Sequence, residues 1–353
     1  MRPPDRPRPS LAGILVKYIA PLAVSVGLCW LLLRDYDLSG MVALARNECM
    51  PLYIALGMGL TVVAHVFRAL RWRLQLRALG IDAPLWALVI SIFGTYAINL
   101  VFPRLGEVWR SGYIARRQRA PFATVLGSMV ADRLADTLAV LLITILAVLL
   151  AGASIMSYLE QTGHTPVALA RTLTSPWLWA GIALAAIIAW WLLARKSDNR
   201  WIRRTRDVVR QMWHGFAVVG SMRGRGRWLL YTAGIWGSFF LSMYAEFFSF
   251  PFTASVAAEH GLTAVLVTFV LSSLSMGVPS NGGIGPWQWA VIFGISLYSA
   301  DVPGLTTELA TSFANLVMGT QTLLLIVLGI FTFITIAIGR KVNRPAKEPT
   351  RDA

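Results

Sequence analysis

Little in this sequence is suited to holding a metal, a disulfide framework or a nucleotide. Two cysteines, Cys29 and Cys49, are too few for a disulfide scaffold and form no metal-ligand cluster. The four histidines, His65, His164, His214 and His260, are scattered, and none forms HExxH or HxxxH. No GxxxxGKS/T phosphate loop is present, so no ATPase is recognisable and no cofactor or metal is expected. Charge is scarce as well: 14% of residues, against about 25% in a soluble domain. That excludes an ordinary soluble globular protein.

Apolar sequence fills the gap. The chain is 56% hydrophobic with a mean hydropathy of +0.61, and several runs reach the roughly 20 residues that cross a bilayer. The fold class expected is all-α and polytopic. A net charge of +15 would suggest nucleic acid in a soluble protein. Here the bias of basic residues toward the cytoplasm and attraction to anionic headgroups explain it, and no nucleic-acid partner is expected.

The whole chain, 1–353, reads as a single membrane domain with both termini cytoplasmic. A basic, proline-rich start, MRPPDRPRPS, precedes an apolar run Leu11–Leu33 without an A-x-A-like cleavage site. It reads as an uncleaved signal anchor, with 1–13 a cytoplasmic tail and a span over Ile14–Leu33. After the external segment Arg34–Met50, a second span covers Pro51–Leu70. Arg68, Arg71, Arg73 and Arg77 mark its cytoplasmic end, and Trp72 belongs at the headgroup level there.

Leu85–Phe102 could span once, but Arg116, Arg117 and Arg119 would then lie outside, against the charge bias. A re-entrant hairpin over 85–118, turning at Pro103–Gly106, avoids this. Such a turn is tolerated only beside protein or a watery cavity. A long helix follows, Phe122–Gly152, about 45 Å in length. Ser154–Ser175 is expected outside and Pro176–Leu193 as a span. The basic segment Arg195–Arg227 is the clearest cytoplasmic marker; setting topology explains it more simply than a dedicated lipid patch. Trp228–Ser249 returns outward. A second hairpin, 262–300, enters from outside around PSNGGIGPWQ. Leu309–Ile338 is the last span, and 339–353 a cytoplasmic tail.

The count is six full spans and two re-entrant hairpins. Residues 51–152 and 228–338 form an inverted repeat whose turns share a weak signature, Phe102-Pro103-x-x-Gly106-Glu107 and Val278-Pro279-x-x-Gly282-Gly283. Broken helices in inverted repeats, meeting near the midplane, are a transporter design. The plainer reading is that proline and glycine only mark two loops.

Charge inside a span points to function. Asp132, Arg133 and Asp136 lie about 15–22 Å along their helix and share a face. Either they form a structural ion-pair cluster with Arg104, Glu107 or Arg110, or the arginine, with both carboxylates partly engaged, holds a phosphate. Glu107 and Arg110, three apart, also share a face. Asn99 and Arg104 flank the turn that Gly106 permits, and exposed amides after Pro103 could receive an anionic oxygen. In the second turn, Ser280, Asn281, Gly282, Gly283 and Gln288 are the polar or flexible candidates for a similar amide nest. His65, Glu246, Asn315 and Gln321 read as helix-to-helix hydrogen bonds, with Glu246 near the external interface.

RALRWRLQLRALG at 68–80, FPRLGEVWR at 102–110, ADRLAD at 131–136 and VPSNGGIG at 278–285 resemble the lysylphosphatidylglycerol synthase transmembrane-region family, also called flippase-like or UPF0104. The likeness covers nearly the whole chain. It implies a bacterial inner-membrane protein related to the membrane half of the multiple peptide resistance factor, which translocates aminoacylated phosphatidylglycerol. Other members are linked to polyprenyl, hopanoid and archaeal glycolipid pathways. Members often have an acidic residue shortly after GGIG, where Gln288 stands here. Bifunctional members add an aminoacyl-transferase domain, whereas this sequence ends at Ala353 in a short tail.

The reading that follows is a membrane lipid translocase. Its partner would be an anionic or aminoacylated phospholipid, or a polyprenyl-linked lipid, and a homo-oligomer stays open. Arg104, Arg110 and Arg133 would hold phosphate; Glu107, Asp132 and Asp136 would orient them or take a cationic headgroup. The rivals are an intramembrane enzyme using Glu107 or Asp136 as acid or base, disfavoured because no nucleophile stands beside a base, and a non-transporting scaffold of an envelope-lipid complex.

Overall fold

A computed structural model describes residues 46–162, 222–278, 280–299 and 302–342, with isolated positions 43, 207, 210, 213, 217 and 220. The expected spans Ile14–Leu33 and Pro176–Leu193, most of Arg195–Arg227, Pro279 and the tail after Val342 lie outside the described residues. The described residues form eight α-helices and no strand. They are α1 (Pro51–Ala78), α2 (Leu85–Val101), α3 (Leu105–Gln118), α4 (Phe122–Thr162), α5 (Arg225–Phe247), α6 (Pro251–Ser275), α7 (Pro286–Ser296) and α8 (Thr307–Val342).

Four are long and apolar enough to cross a bilayer: α1, α4 over Phe122–Leu150, α6, and α8 over Thr307–Ile338. Proline at the first turn of α1, α6 and α7 starts those helices where its missing N–H costs nothing. Two boundaries differ from the sequence reading. Helix α4 continues to Thr162, so the start of the expected external segment is helical; no proline or glycine interrupts Ser154–Thr162. Helix α6 begins at Pro251, eleven residues before the expected hairpin. Gly261, at φ 63° and ψ −153°, breaks it into two pieces, and only the second is a hairpin arm.

The helices fall into two units with the same internal pairings. In the first, α1 packs on α2, α2 on α3, and α3 on α4; in the second, α5 packs on α6, α6 on α7, and α7 on α8. Across the units, α1 lies against α5, α2 against α8, and α4 against α6. Exchanging the units leaves this scheme unchanged. The corresponding helices α1 and α5 run in opposite directions. Met50 N–H donates to Ser249 O at the start of one and the end of the other, Thr61 meets Ser242, and the Phe67 ring meets that of Tyr231 at a tilt.

Both hairpins stop partway along the long helix beside them. Tyr96 of α2 stacks on His65 of α1. Beyond Tyr96 only about 8 Å of helix remains, against about 21 Å from His65 back to Pro51. In the second unit, Phe269 of α6 meets Trp236 of α5, leaving about 9 Å to the turn against about 17 Å back to Arg225. The turns therefore stop short of the ends of those helices, and they touch. A Cβ on Gly282 would stand 2.6 Å from the Leu100 side chain, and Arg104 donates to Gly277 O at 3.1 Å.

Candidate functional site

Helix α1 buries a polar stripe, Thr61, His65, Arg68 and Gln75, with Arg71 and Trp72 between. The spacing of three and four residues puts the stripe on one side of the helix. Among the described residues His65 makes no hydrogen bond and instead stacks on Tyr96, with Phe93 and Phe239 edge-on. That differs from the expected helix-to-helix hydrogen bond. Arg68 donates to Tyr96 Oη and pairs with Asp136 at 3.3 Å. Arg71 is fully buried and forks onto two carboxylates, Asp132 Oδ1 at 2.8 Å and Asp136 Oδ1 at 2.7 Å. Arg68 and Arg71 are therefore members of the buried charge cluster, a role that sequence reasoning did not give them. Trp72 is buried too, donating to Ser128 Oγ at 3.1 Å rather than sitting at a headgroup level. At the end of α1 the Arg77 guanidinium, bonded to exposed Asp82 at 2.8 Å, holds that carboxyl below its usual range.

The first hairpin turn supplies the next residues. Arg104 adopts a left-handed backbone, φ 62°, and is exposed. Gly106 packs against the backbone oxygen of Thr95, where any Cβ would collide. The amides after Pro103 are already taken. Leu105 N–H donates to Phe102 O and Gly106 N–H to Asn99 Oδ1 at 2.8 Å, so the anion seat expected of these two is filled by the turn itself. Asn99 also turns its amide nitrogen to Glu107, 3.3 Å from each oxygen. Arg110 is fully buried, 4.5 Å over the Trp72 ring and 3.5 Å from Asp132 Oδ2, and its guanidinium makes no hydrogen bond among the described residues.

Helix α4 closes the cluster. Asp132 and Asp136 point to Arg71, Arg68 and Arg110. Arg133 turns toward the hairpin, 3.0 Å from Glu107 Oε1 and 3.7 Å from Asp136 Oδ2. Of the two aspartates Arg133 reaches only Asp136, and the fork onto both comes from Arg71 of another helix, because Asp132 and Arg133 are successive residues about 100° apart around α4. Four guanidiniums, of Arg68, Arg71, Arg110 and Arg133, thus face three carboxylates, of Glu107, Asp132 and Asp136. One positive charge is in excess. Exposure is uneven: the Arg133 side chain is 34% exposed and Glu107 15%, while Arg71, Arg110 and Asp132 are shut off from solvent. An anion arriving from outside the cluster meets Arg133 first.

Among the described residues no ion pair of this cluster reaches the second turn. Gly282, Gly283 and Gly285 have φ of 64°, 92° and 92°, which a side chain would strain. Ser280 Oγ approaches only its neighbour Val278 O, at 3.4 Å. In the turn Ile284 N–H donates to Asn281 O, Trp287 N–H to Gly283 O, and Gly285 N–H to Gln288 Oε1, so the amides of 284, 285 and 287 are engaged within it. Gln288, third residue of α7, also donates to Asn315 Oδ1 on α8 at 2.6 Å. Glu107, third residue of α3, reaches Arg133 on α4 in the same way. The corresponding contacts are ionic in the first unit and amide in the second. Glu246 bonds Gln321 at 2.8 Å, and its burial contradicts a low-cost interfacial place.

Two helical units, each with a hairpin that stops short of the end of the long helix beside it and one lined with buried charge, make a multi-pass, all-α membrane protein. The chain belongs to the family described as lysylphosphatidylglycerol synthase TM region, whose model matches residues 18–329. That membership ties it to membrane lipid function. No curated protein matches the chain.

Proposed function

We propose that this protein moves a phosphate-bearing lipid headgroup between the leaflets of a bacterial inner membrane while the acyl tails stay in the bilayer. The observation behind the reading is the partly exposed Arg133–Glu107 pair at the edge of a cluster with one positive charge in excess, in the unit whose hairpin turn meets the opposed one. A phosphate exchanges for Glu107 on Arg133, whose planar fork suits two phosphate oxygens. Glu107, released, keeps its hydrogen bonds from Asn99. The deeper pairs on Asp132 and Asp136 stay closed and hold the frame. Arg104 bridges the turns, and breaking its bond to Gly277 lets them part.

No step in this reading changes a covalent bond. Among the described residues the carboxylates of the cluster are engaged by guanidiniums, and no hydroxyl donates to them as a nucleophile would. A charged headgroup gains about 2.3 kcal/mol per 100 mV from the membrane potential, enough to bias its direction without ATP. In this orientation both termini and Arg116–Arg119 face the cytoplasm. A single cysteine at position 118 labelled from outside intact cells would contradict the orientation.

The test is leaflet exchange in liposomes containing the purified protein. A labelled anionic phospholipid is expected to exchange while its mass spectrum stays unchanged. A new lipid species without exchange would replace this reading with an intramembrane enzyme, and neither effect would leave a scaffold.

A further inference from the structure

The charged cluster has a counterpart in the second unit that is nearly free of charge. Counted from the start of each helix, Arg71 is the 21st residue of α1 and Glu246 the 22nd of α5. Asp136 and Gln321 are each the 15th residue, of α4 and α8. Arg71 bonds Asp136 at 2.7 Å, and Gln321 Nε2 donates to Glu246 Oε1 at 2.8 Å. Exchanging the units therefore places Glu246 on Arg71 and Gln321 on Asp136. In the first unit each acid is met by cations; in the second the acid is met by an amide.

Glu246 is buried, and among the described residues no ion pair reaches it. A carboxylate removed from water without a cation is a costly arrangement. Around it stand the Gln321 amide nitrogen and the oxygens of Ser242, Gly57 and Thr61. Ser242 Oγ lies 3.3 Å from Glu246 Oε1, donates to Gly57 O at 2.9 Å, and stands 3.3 Å from Thr61 Oγ1. Gln321, donating through nitrogen, leaves its carbonyl oxygen over. Gly57 is shaped to the site, since a Cβ there would come within 2.5 Å of Glu246 Oε1.

Other charges are distant or spoken for. On α1, Arg68 stands seven residues past Thr61, about 10 Å along the helix, and is bound to Asp136. His65 is stacked on Tyr96, and Tyr53 lies tilted against Phe248. On α4, Asp136 is taken by Arg68 and Arg71. On α8, Glu308 is about 20 Å before Gln321, and the basic residues follow Gly339. On α6, Glu259 and His260 precede the Gly261 break.

We infer that Glu246, Ser242, Thr61, Gln321 and the Gly57 carbonyl form a binding site for one monovalent cation, a sodium ion or a proton. One carboxylate balances one positive charge, and the remaining donors are hard neutral oxygens. A divalent ion would call for more carboxylates, and no group of three or more His, Cys, Asp or Glu suited to a metal exists among the described residues. The site joins α5 to α8 and abuts α1, so its occupancy bears on the interface across which the two units are exchanged. That it couples to transport rests on the proposed function; that it binds a cation does not.

The test uses the purified full-length protein in detergent. Its melting temperature is followed as NaCl replaces N-methylglucamine chloride at fixed pH and ionic strength, and its infrared spectrum is searched for a protonated carboxyl. A sodium site gives a saturable rise in melting temperature that is lost in Glu246→Gln. A proton site gives no sodium-specific rise but a protonated-carboxyl band that Glu246→Gln removes. If Glu246→Gln does not fold, Gln321→Ala is expected to weaken sodium binding at least ten-fold or to shift the carboxyl band. Variants that keep the native sodium response and the native carboxyl spectrum overturn the inference. Neither readout involves lipid, so failure here leaves the transport reading standing, and lost exchange with an intact cation response counts against transport alone.

Discussion

Arg71 and Asp132 face each other from α1 and α4 at 2.8 Å, and neither side chain meets solvent. Arg71→Met leaves that carboxylate with only Arg110, at 3.5 Å. Removing one partner of a buried pair costs about 3–5 kcal/mol, whereas replacing both with apolar groups is often neutral. The melting temperature of Arg71→Met in detergent is therefore expected to fall sharply, and that of Arg71→Met with Asp132→Leu to recover part of the loss, since Arg110 then lacks its carboxylate. A double variant as unstable as the single one would show that the pair is not an energetic unit.

The route from sequence to this pair shows where reading stops. Asp132, Arg133 and Asp136 stood out because charge inside an apolar helix is costly. The hairpins stood out through Pro103 and the glycines of 282–285. Arg68 and Arg71 did not, because basic residues at a helix end satisfy the cytoplasmic bias and so raise no question. A signal was present: Thr61, His65, Arg68 and Gln75 recur at helical spacing along a helix that otherwise reads as membrane-facing. Such a stripe must face protein. The direction of Arg133 was not legible either, since it depends on which helix supplies the competing guanidinium. The amides of both turns looked open because their internal acceptors, Asn99 and Gln288, lie on side chains whose orientation only the fold sets.

Gly106 tests how tightly the first hairpin is closed. A methyl group there meets the Thr95 backbone oxygen and lies 2.7 Å from Asn99 Oδ1, and backbone cannot step aside. Gly106→Ala is expected to cost about 1–3 kcal/mol by overpacking, read as a lower melting temperature. Gly112→Ala is the control, since its methyl would meet only Phe122 at 3.9 Å. It should hold or raise stability, as alanine favours helix.

The contact between the turns is testable by locking it. A Cβ at position 282 would stand 3.9 Å from Leu100 Cα, close to disulfide range. In a background without Cys29 and Cys49, Leu100→Cys with Gly282→Cys is expected to cross-link on oxidation. Leaflet exchange should then stop and return on reduction. Full exchange by the cross-linked protein would show that the turns need not separate.

The central claim is that Arg133 holds the headgroup phosphate. Its removal orphans nothing: Asp136 retains Arg68 and Arg71, and Glu107 retains Asn99. Leaflet exchange of a labelled anionic phospholipid in liposomes, set beside melting temperature in detergent, is the direct measurement. Arg133→Ala should melt close to the native protein and exchange lipid at least ten-fold more slowly, and Arg133→Lys, which keeps the charge but loses the fork, should also fold and transport poorly. Native exchange rates in the Lys variant, or an Ala variant that does not fold, would contradict the account.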